Sequence, residues 1–580
     1  MIVLGTHADH DAGVAISIDG KIISAISRER VVRAKMAAGV PRETIFEALR
    51  CASIETEDVD IVCIFGQPLI DQFKTCLRQQ INLRKFAGMK GMWGLEYFYK
   101  GKMKSVGGLQ AFLMNTAVLS GLHKWYFYHN KLEVELKKHF PKSKITHIHH
   151  HDGHAVGAYY CSGFENCLNV VIEGSDYENC MVLEVFSPAG RNLIATTPWP
   201  HSAGYFYQLV TQLLGFNSYT HPGKITGLAA YGNPFTCISE VSKLMWVEGL
   251  QTKIHQDVYN WSSRYAYYKA NGKKWIPNEL KSYSMEDIAA AFQKRFEECI
   301  IDIISKAINK TGQKNIVLSG GCAANVRLNQ LIYEIPGVEN IFIMPAMSDA
   351  GQPIGLALAG FLKNGGKLES KRIKDVFWGP EYSEQEIKRA LDANLLKYKK
   401  MDYIEKEIAL LINEGKVVAR FNGRMEFGPR ALGNRSILYH CKDKFVNLWL
   451  NKQLKRTEFM PFAPAVLAEE AHRCFKNFSG CAYAAEFMTI TCSVTDFMKE
   501  NCPAAVHVDG TARPQCVTKN ANPSFYNILQ EYYKLSGIPC VINTSFNMHE
   551  EPIVMTPEDA IRCFKQGHLD YLAIGDFLVY

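Results

Sequence analysis

The pattern that most constrains the fold occurs twice. "MIVLGTHADHDAGVAISIDGKIISAISRER" reads as strand, turn, strand, turn, strand, with short β-branched runs and a hairpin signal at Asp19-Gly20. "CLNVVIEGSDYENCMVLEVF" is a second meander around a glycine-containing turn. "NIVLSGGCAANVRLNQLIYE" and "NIFIMPAMSDAGQPIGLALAGFL" each run from an apolar strand through a loop into an amphipathic helix. Two meanders followed by strand–turn–helix units predict a duplicated α/β fold with nucleotide loops at strand ends. Between the first of these segments, "RETIFEALRCA" has helical periodicity and "VDIVCIFG" reads as a buried strand.

At 580 residues the chain exceeds one ordinary core, so at least two domains are expected. The polar, Gly/Lys-rich stretch from Lys363 to Asp375 marks the boundary, and "KVVARF" and "PEDAIRCFKQ" supply a strand and a late helix beyond it. The segment from Asn82 to Lys144 mixes aromatics with lysines at helical spacing. A helical excursion with a solvated basic face is the plainer reading, and a lid over an acceptor pocket the sharper one.

Composition removes several function classes. A hydrophobic content of 47% and a charged content of 21% describe a globular chain rather than a disordered one. No apolar run approaches bilayer length, and the opening lacks the basic leader of a signal peptide. Seventeen cysteines without a C-x-x-C pair suit reduced, buried thiols in a cytoplasmic protein better than a disulfide framework. A net charge of +7 permits an anionic ligand but falls short of a nucleic-acid-binding face.

"THIHHHDGHAVGAYY" places five histidines within eight residues. Histidines four apart on a helix share a face and can grip one metal ion, as His150 and His154 can, and His147 and His151. The zinc-protease pattern fails because His151 stands where the general-base glutamate belongs. Asp349, between a strand and a glycine-opened helix, is a further ligand or, on the plainer reading, a helix N-cap.

Gly320 and Gly321, with Asn325 beyond them, can set backbone amides against a phosphate or equally serve tight strand–helix packing, and Gly223-Lys224 is a second glycine-punctuated loop. "FNGRMEFGPRALGNRSIL" holds Arg424, Arg430 and Arg435, whose guanidinium forks suit phosphate oxygens. Lys455, Arg456, His507, Arg513, Asn543, Thr544, Ser545 and Asn547 add cations and small donors on later turns. Together these favour a polyphosphate site.

"HHDGHAVGAYY", "GKITGLAAYG", "LSGGCAANVRLN", "SDAGQPIG", "GPRALGNRSIL", "HVDGTARPQ" and "EPIVMTPEDA", in this order, resemble the NodU/CmcH family of O-carbamoyltransferases. The resemblance implies a TsaD-like, actin/Hsp70-type ASKHA domain over residues 1–370 and a YrdC-like α/β domain over 371–580. It implies that the second domain makes carbamoyladenylate from ATP and carbamoyl phosphate. The first then passes the carbamoyl group to a hydroxyl of a small-molecule acceptor, releasing AMP.

By the same resemblance His150, His154 and Asp349 are metal ligands for iron(II), with Mg(II) accompanying ATP. Glu173 stands where the family carries aspartate and is a fourth candidate. His10 matches a histidine beside the carbamoyl group, Lys35 a lysine on the carbamoyladenylate, and Arg430, Lys455, Arg513 and Ser545 the phosphate-handling set. The chain departs from the family where Lys455 and Arg456 are adjacent and where Met460 replaces an arginine. Expected partners are the acceptor and no nucleic acid or membrane, with a homodimer left open. Two rivals remain: a tRNA-modifying threonylcarbamoyl-type enzyme and a non-catalytic ASKHA nucleotide-binding regulator.

Overall fold

The structure is a computed structural model that describes residues 1–66, 131–174, 178–455 and 461–580. Of the excursion assigned to residues 82–144, most lies outside the described residues, as do Arg456 and Met460.

The first meander is β1 (Ile2–His7), β2 (Gly13–Ile18) and β3 (Lys21–Ser27), which fold back on one another antiparallel. β4 (Ile61–Phe65) and β5 (Lys144–Ile148) extend the sheet in parallel beyond β1, giving the order β3-β2-β1-β4-β5. The second meander is β6 (Cys167–Ile172), β7 (Asn179–Ser187) and β8 (Gly190–Pro198). A short hairpin, β9 (Met245–Glu248) with β10 (Gln251–Ile254), lies apart from it. β11 (Asn315–Ser319) and β12 (Asn340–Ile343) then complete the second sheet in the order β12-β11-β6-β7-β8. Read from the meander outward, the two sheets have the same plan, so the duplication is real at the level of topology.

Each half ends in a helix after its last parallel strand: His150–Ser162 after β5 and Gln352–Lys363 after β12. These two helices lie between the sheets, where Ala155, Ala158, Ile354 and Leu358 share a buried cluster with Val3, Cys63, Val171 and Phe342. They cross on glycine. A Cβ on Gly355 would stand 1.7 Å from the Gly153 carbonyl oxygen, and one on Gly157 3.1 Å from the Gly355 Cα. Gly355→Ala must therefore push the helices apart, at a cost of about 1–3 kcal/mol. Because one helix carries His150 and His154 and the turn that opens the other carries Asp349, the variant should also bind metal more weakly, which denaturant unfolding and metal titration would measure together.

Residues 364–383 carry no helix or strand and thread between the halves of the chain. The Lys371 and Ile373 amides donate to the carbonyls of Tyr160 and Cys161, so the polar stretch predicted as a linker is pinned along its length.

The third sheet has eight strands: β13 (Tyr398–Lys400), β14 (Val418–Phe421), β15 (Arg435–His440), β16 (Ala463–Leu467), β19 (Gln515–Val517), β20 (Cys540–Ser545), β21 (Tyr571–Ile574) and β22 (Phe577–Val579). Its order is β13-β22-β21-β14-β15-β20-β16-β19, and a separate two-stranded piece pairs β17 (Cys492–Ser493) with β18 (Thr511–Ala512). The helix Pro557–Gln566, read from the sequence, is closed at its start by a capping box between Thr556 and Asp559. Among the described residues no helix is long and apolar enough to cross a membrane.

Candidate active site

The duplicated topology explains where the histidine site forms. In open α/β sheets the carboxyl ends of parallel strands meet in a crevice that binds ligands. Here β1 and β5 end at His7 and Ile148, and β6 and β12 end at Ile172 and Ile343. The segments that follow them supply His10, then His150 and His154 on the helix after β5, then Glu173, then Asp349. Equivalent positions of the two halves thus face one another.

Asp349 is the hub. Its Oδ1 lies 3.3 Å from His150 Nε2 and 3.2 Å from His154 Nε2, and its Oδ2 lies 3.4 Å from His10 Nε2. Glu173 Oε1 stands 3.1 Å from His154 Nε2. Ligand atoms of His150, His154, Glu173 and Asp349 all lie within 4.8 Å of one another. Two imidazoles and two carboxylates on one side of a cleft form a mixed N/O donor set that suits a first-row divalent ion. The cap reading of Asp349 gives way: Ser348, not Asp349, accepts the Ala350 amide at the start of that turn.

Glu173 is itself positioned. The Gly321 N–H donates to its Oε1 at 2.5 Å, and Ser202 Oγ donates to the carbonyls of Glu173 and Gly174. Gly320 sits at φ +91, where a Cβ would lie 2.4 Å from the Ile172 carbonyl oxygen. The glycine pair therefore has a reason beyond phosphate: it lets the turn slide under the carboxylate. Asn325, a third member of that motif, caps the helix Val326–Tyr333 by accepting the Leu328 amide, and its NH2 donates to Gln293.

His7 was not singled out in the sequence, although its place at the last residue of β1 was a usable signal. It is fully buried, and its Nε2 donates to the Asp349 carbonyl oxygen at 3.0 Å. Phe65 packs against both rings, tilted to His7 and edge-on to His150, at centroid distances of 5.1 and 5.2 Å. His7 thus positions the Asp349 loop. Burial lowers its pKa to about 4, so it stays neutral.

His154 and His10 carry protons when no ion is bound. Burial works against the charge on His154, but Asp349 and Glu173 prevail and raise its pKa to about 9. His10, half-exposed, is likewise opposed by burial yet raised to about 10 by Asp11, Asp349 and Asp9. Burial would push the Asp349 carboxyl up, yet the imidazoles of His150, His154 and His10 hold it well below the usual carboxylate range. A ligating imidazole must shed its proton, so an ion competes with one at His154. Metal affinity should rise about tenfold per pH unit from pH 6.5 toward 9 and level off above. The sign for the metal-free fold is opposite. The raised pKa of His154 gives stability that is present at pH 6 and lost through about pH 9.

His151 is buried within the same helix, His149 precedes its first residue, and half-buried His147 lies on β5. His147 and His151 therefore do not share a helix face.

In the C-terminal half a hydrogen-bond knot gathers the predicted cation segments. The Asn543 side chain donates to the Ala431 carbonyl and to Gln515 Oε1, and Gln515 Nε2 donates to the Leu432 carbonyl. Arg430, Arg513 and Thr544–Ser545 lie within two residues of this knot, on three different segments, and all are half-buried. Lys455 is exposed at the end of the helix Val446–Gln453, with the neighbouring Leu454 carbonyl accepting the His549 amide.

Arg424 and Arg435 are held otherwise than predicted. Arg424 donates to the carbonyls of Ile23, Trp378 and Gly379. Arg435 is fully buried, donates to the carbonyls of Pro380, Asn422, Gly423 and Asn434, and lies 3.7 Å above the Phe421 ring. Their donors serve backbone carbonyls rather than phosphate.

The N- and C-terminal halves meet across a seam. Arg33 donates to the carbonyls of Pro552 and Ile553 and pairs with Asp559 at 3.2 Å. His221, beside Gly223 and Lys224, pairs with Glu550 at 3.1 Å, and Lys35 also acts on the Glu550 carboxylate. Lys35 and the Gly223-Lys224 loop thus border the C-terminal half. A Cβ on Gly223 would meet open space, so no close approach explains that glycine.

Comparison with known proteins bears on this geometry. The family described as Carbamoyltransferase N-terminus matches residues 2–358, and Carbamoyltransferase C-terminus matches residues 409–580. The chain belongs to the carbamoyltransferase family. Nodulation protein NolNO of Sinorhizobium fredii is 28% identical over 98% of this chain and 79% of that protein. Nodulation protein NolO of Bradyrhizobium diazoefficiens is 32% identical over 74% of this chain and 78% of its own length. Among solved structures, full-length HypF in its phosphate- and nucleotide-bound form overlaps 63% of this chain and 56% of its own, with 12% identity and a TM-score of 0.32. The NodU/CmcH resemblance read from the motifs is thereby established, and with it a carbamoyltransferase activity.

Proposed function

We propose that this carbamoyltransferase makes carbamoyladenylate from ATP and carbamoyl phosphate in its C-terminal half and carbamoylates a small-molecule hydroxyl in its N-terminal half. The observation that carries the reading is the pairing of two unlike sites across one seam. One is a cluster of imidazoles and carboxylates around Asp349, the other a cation-rich knot around Asn543, and Lys35 acts on Glu550 across the seam.

Adenylate formation balances when water first splits carbamoyl phosphate into carbamate and inorganic phosphate. A carbamate oxygen then attacks the α-phosphate of ATP and pyrophosphate departs, and fixed cations lower the barrier as charge builds on phosphoryl oxygens. Arg430, Arg513 and Lys455 take that role, with Ser545 and Thr544 as hydroxyl donors. In the transfer step the acceptor hydroxyl attacks the carbamoyl carbon and AMP leaves. His10, facing Asp349 yet open to solvent, is placed to donate a hydrogen bond to the carbamoyl oxygen. His150, His154, Glu173 and Asp349 would hold the ion, for which iron(II) is the choice. Bound there, it would supply positive charge toward the leaving phosphate. Carbamate and its adenylate are labile in water, so a closed seam between the sites protects the intermediate.

The test is pyrophosphate release from ATP, with and without carbamoyl phosphate, followed by a screen of small hydroxyl compounds with radiolabelled carbamoyl phosphate. Release that depends on carbamoyl phosphate, and label on a small molecule, is expected. Label on bulk tRNA instead, or no release, would sink the reading.

A further inference from the structure

Three cysteines outside this chemistry converge at the other end of the strands that carry it. Cys441 follows β15, Cys540 opens β20, and Cys502 follows the helix Asp496–Asn501. Their sulfurs stand 3.5 Å apart between Cys441 and Cys540 and 3.2 Å apart between Cys502 and Cys540. All three lie within 4.8 Å of one another, and each is fully buried. Cys474, from a fourth segment, is also fully buried and interacts with Cys540.

We propose that Cys441, Cys502 and Cys540 hold a single thiophilic d10 cation, Zn(II) or Cu(I), with Cys474 the nearest further thiol. Sulfurs on one such ion, at about 2.3 Å from it, stand roughly 3.8–4.0 Å apart. The observed spacings would open by roughly 0.3–0.8 Å to reach it. A disulfide would pair two of the three and strand the third. An iron–sulfur cluster would need its thiolates spread more widely than around one ion. Buried cysteine can also act as a small apolar filler, but filler does not require thiols from three distant segments to meet at one point.

On binding, each thiol releases its proton to solvent. Three thiolates around Zn(II) leave one negative charge, and Lys442, the neighbour of Cys441, acts on Cys502 from close by. The ion would be a clamp. β15 pairs with β20 from Ser436–Ser545 to His440–Val541, so the strands that begin at Arg435 and end at Ser545 close on the thiol cluster at their opposite ends.

The experiment loads full-length, metal-free protein with cobalt(II) under anaerobic conditions in a phosphine reductant. A thiolate-to-cobalt charge-transfer band in the near ultraviolet is expected, saturating at one equivalent. Imidazoles and carboxylates cannot give that band, so it separates this site from the histidine site. Cys502→Ala should lose the band while keeping the histidine site's cobalt, and His154→Ala should do the reverse. Metal analysis of protein isolated without chelators then distinguishes zinc from copper. No charge-transfer band from reduced wild-type protein, or a disulfide among the three as isolated, overturns the proposal. The wild-type spectrum decides even if a cysteine variant fails to fold.

Discussion

Asp349→Asn should abolish carbamoyl transfer and leave pyrophosphate release within about twofold of wild type. The carboxylate is shared among three imidazoles, at 3.2–3.4 Å, and is the one candidate ligand that touches His10 as well. Even residues that merely orient a ligand cost 10- to 100-fold in affinity or activity when lost, so loss of the hub should cost transfer more than about 100-fold. The amide keeps the shape and the turn but cannot neutralise His154, whose proton then has only Glu173 as counterion. The metal-free variant should lose roughly 3–5 kcal/mol, the price of breaking a buried ion pair. Metal content, the stability of the metal-free protein and the two half-reactions can all be measured on one preparation. Transfer surviving within tenfold, with metal content unchanged, would remove Asp349 from the site. Equal loss of both half-reactions would mean that the halves are not separable as described.

Much of this was legible because topology follows from period and punctuation. Both meanders, the helix Arg42–Ala52 and the helix Pro557–Gln566 could be read from alternation, capping residues and glycine turns. His150 and His154 announced themselves by spacing, since a helix converts four residues into one face. Asp349 was ambiguous, because a cap and a ligand ask for the same residue at the same place and only the partner atoms decide. His7 was missed for a related reason. A histidine closing a buried strand reads as filler until the opposite half of the duplication is folded against it. Arg424 and Arg435 misled in the other direction. Arginine among glycines suggests phosphate, yet the turn they occupy, bent by Gly423 and Gly428 at positive φ, presents carbonyls inward that need donors. Whether a guanidinium meets phosphate or backbone depends on the path of the loop, which the spacing of three arginines in twelve residues does not encode.

That distinction makes Arg430 and Arg435 a pair that should fail in different ways. Arg430 is half-buried beside the Asn543–Gln515 knot. Arg430→Ala should cost less stability than Arg435→Met, because Arg430 is half-buried and Arg435 is fully buried. It should lower pyrophosphate release about 100- to 1,000-fold, the scale seen when one preorganised donor to developing charge is removed. Arg435→Met should do the reverse. Without the guanidinium the Asn422 and Gly423 carbonyls lose their donor inside the fold, while Pro380 and Asn434 keep the Met425 and Asn422 amides. Each stranded carbonyl costs about 1–3 kcal/mol, so the variant should lose roughly 3–5 kcal/mol. Its residual activity should track the folded fraction, recovering at low temperature with unchanged KM for ATP. Glu426 supplies the internal control. Its buried carboxylate accepts the Leu432 and Arg435 amides at 2.6 and 3.2 Å, so Glu426→Ala should resemble Arg435→Met and not Arg430→Ala. If Arg435→Met instead stayed stable and lost pyrophosphate release, the buried guanidinium would have to reach phosphate in another state of the loop, and the division between bracing and chemistry drawn here would fall.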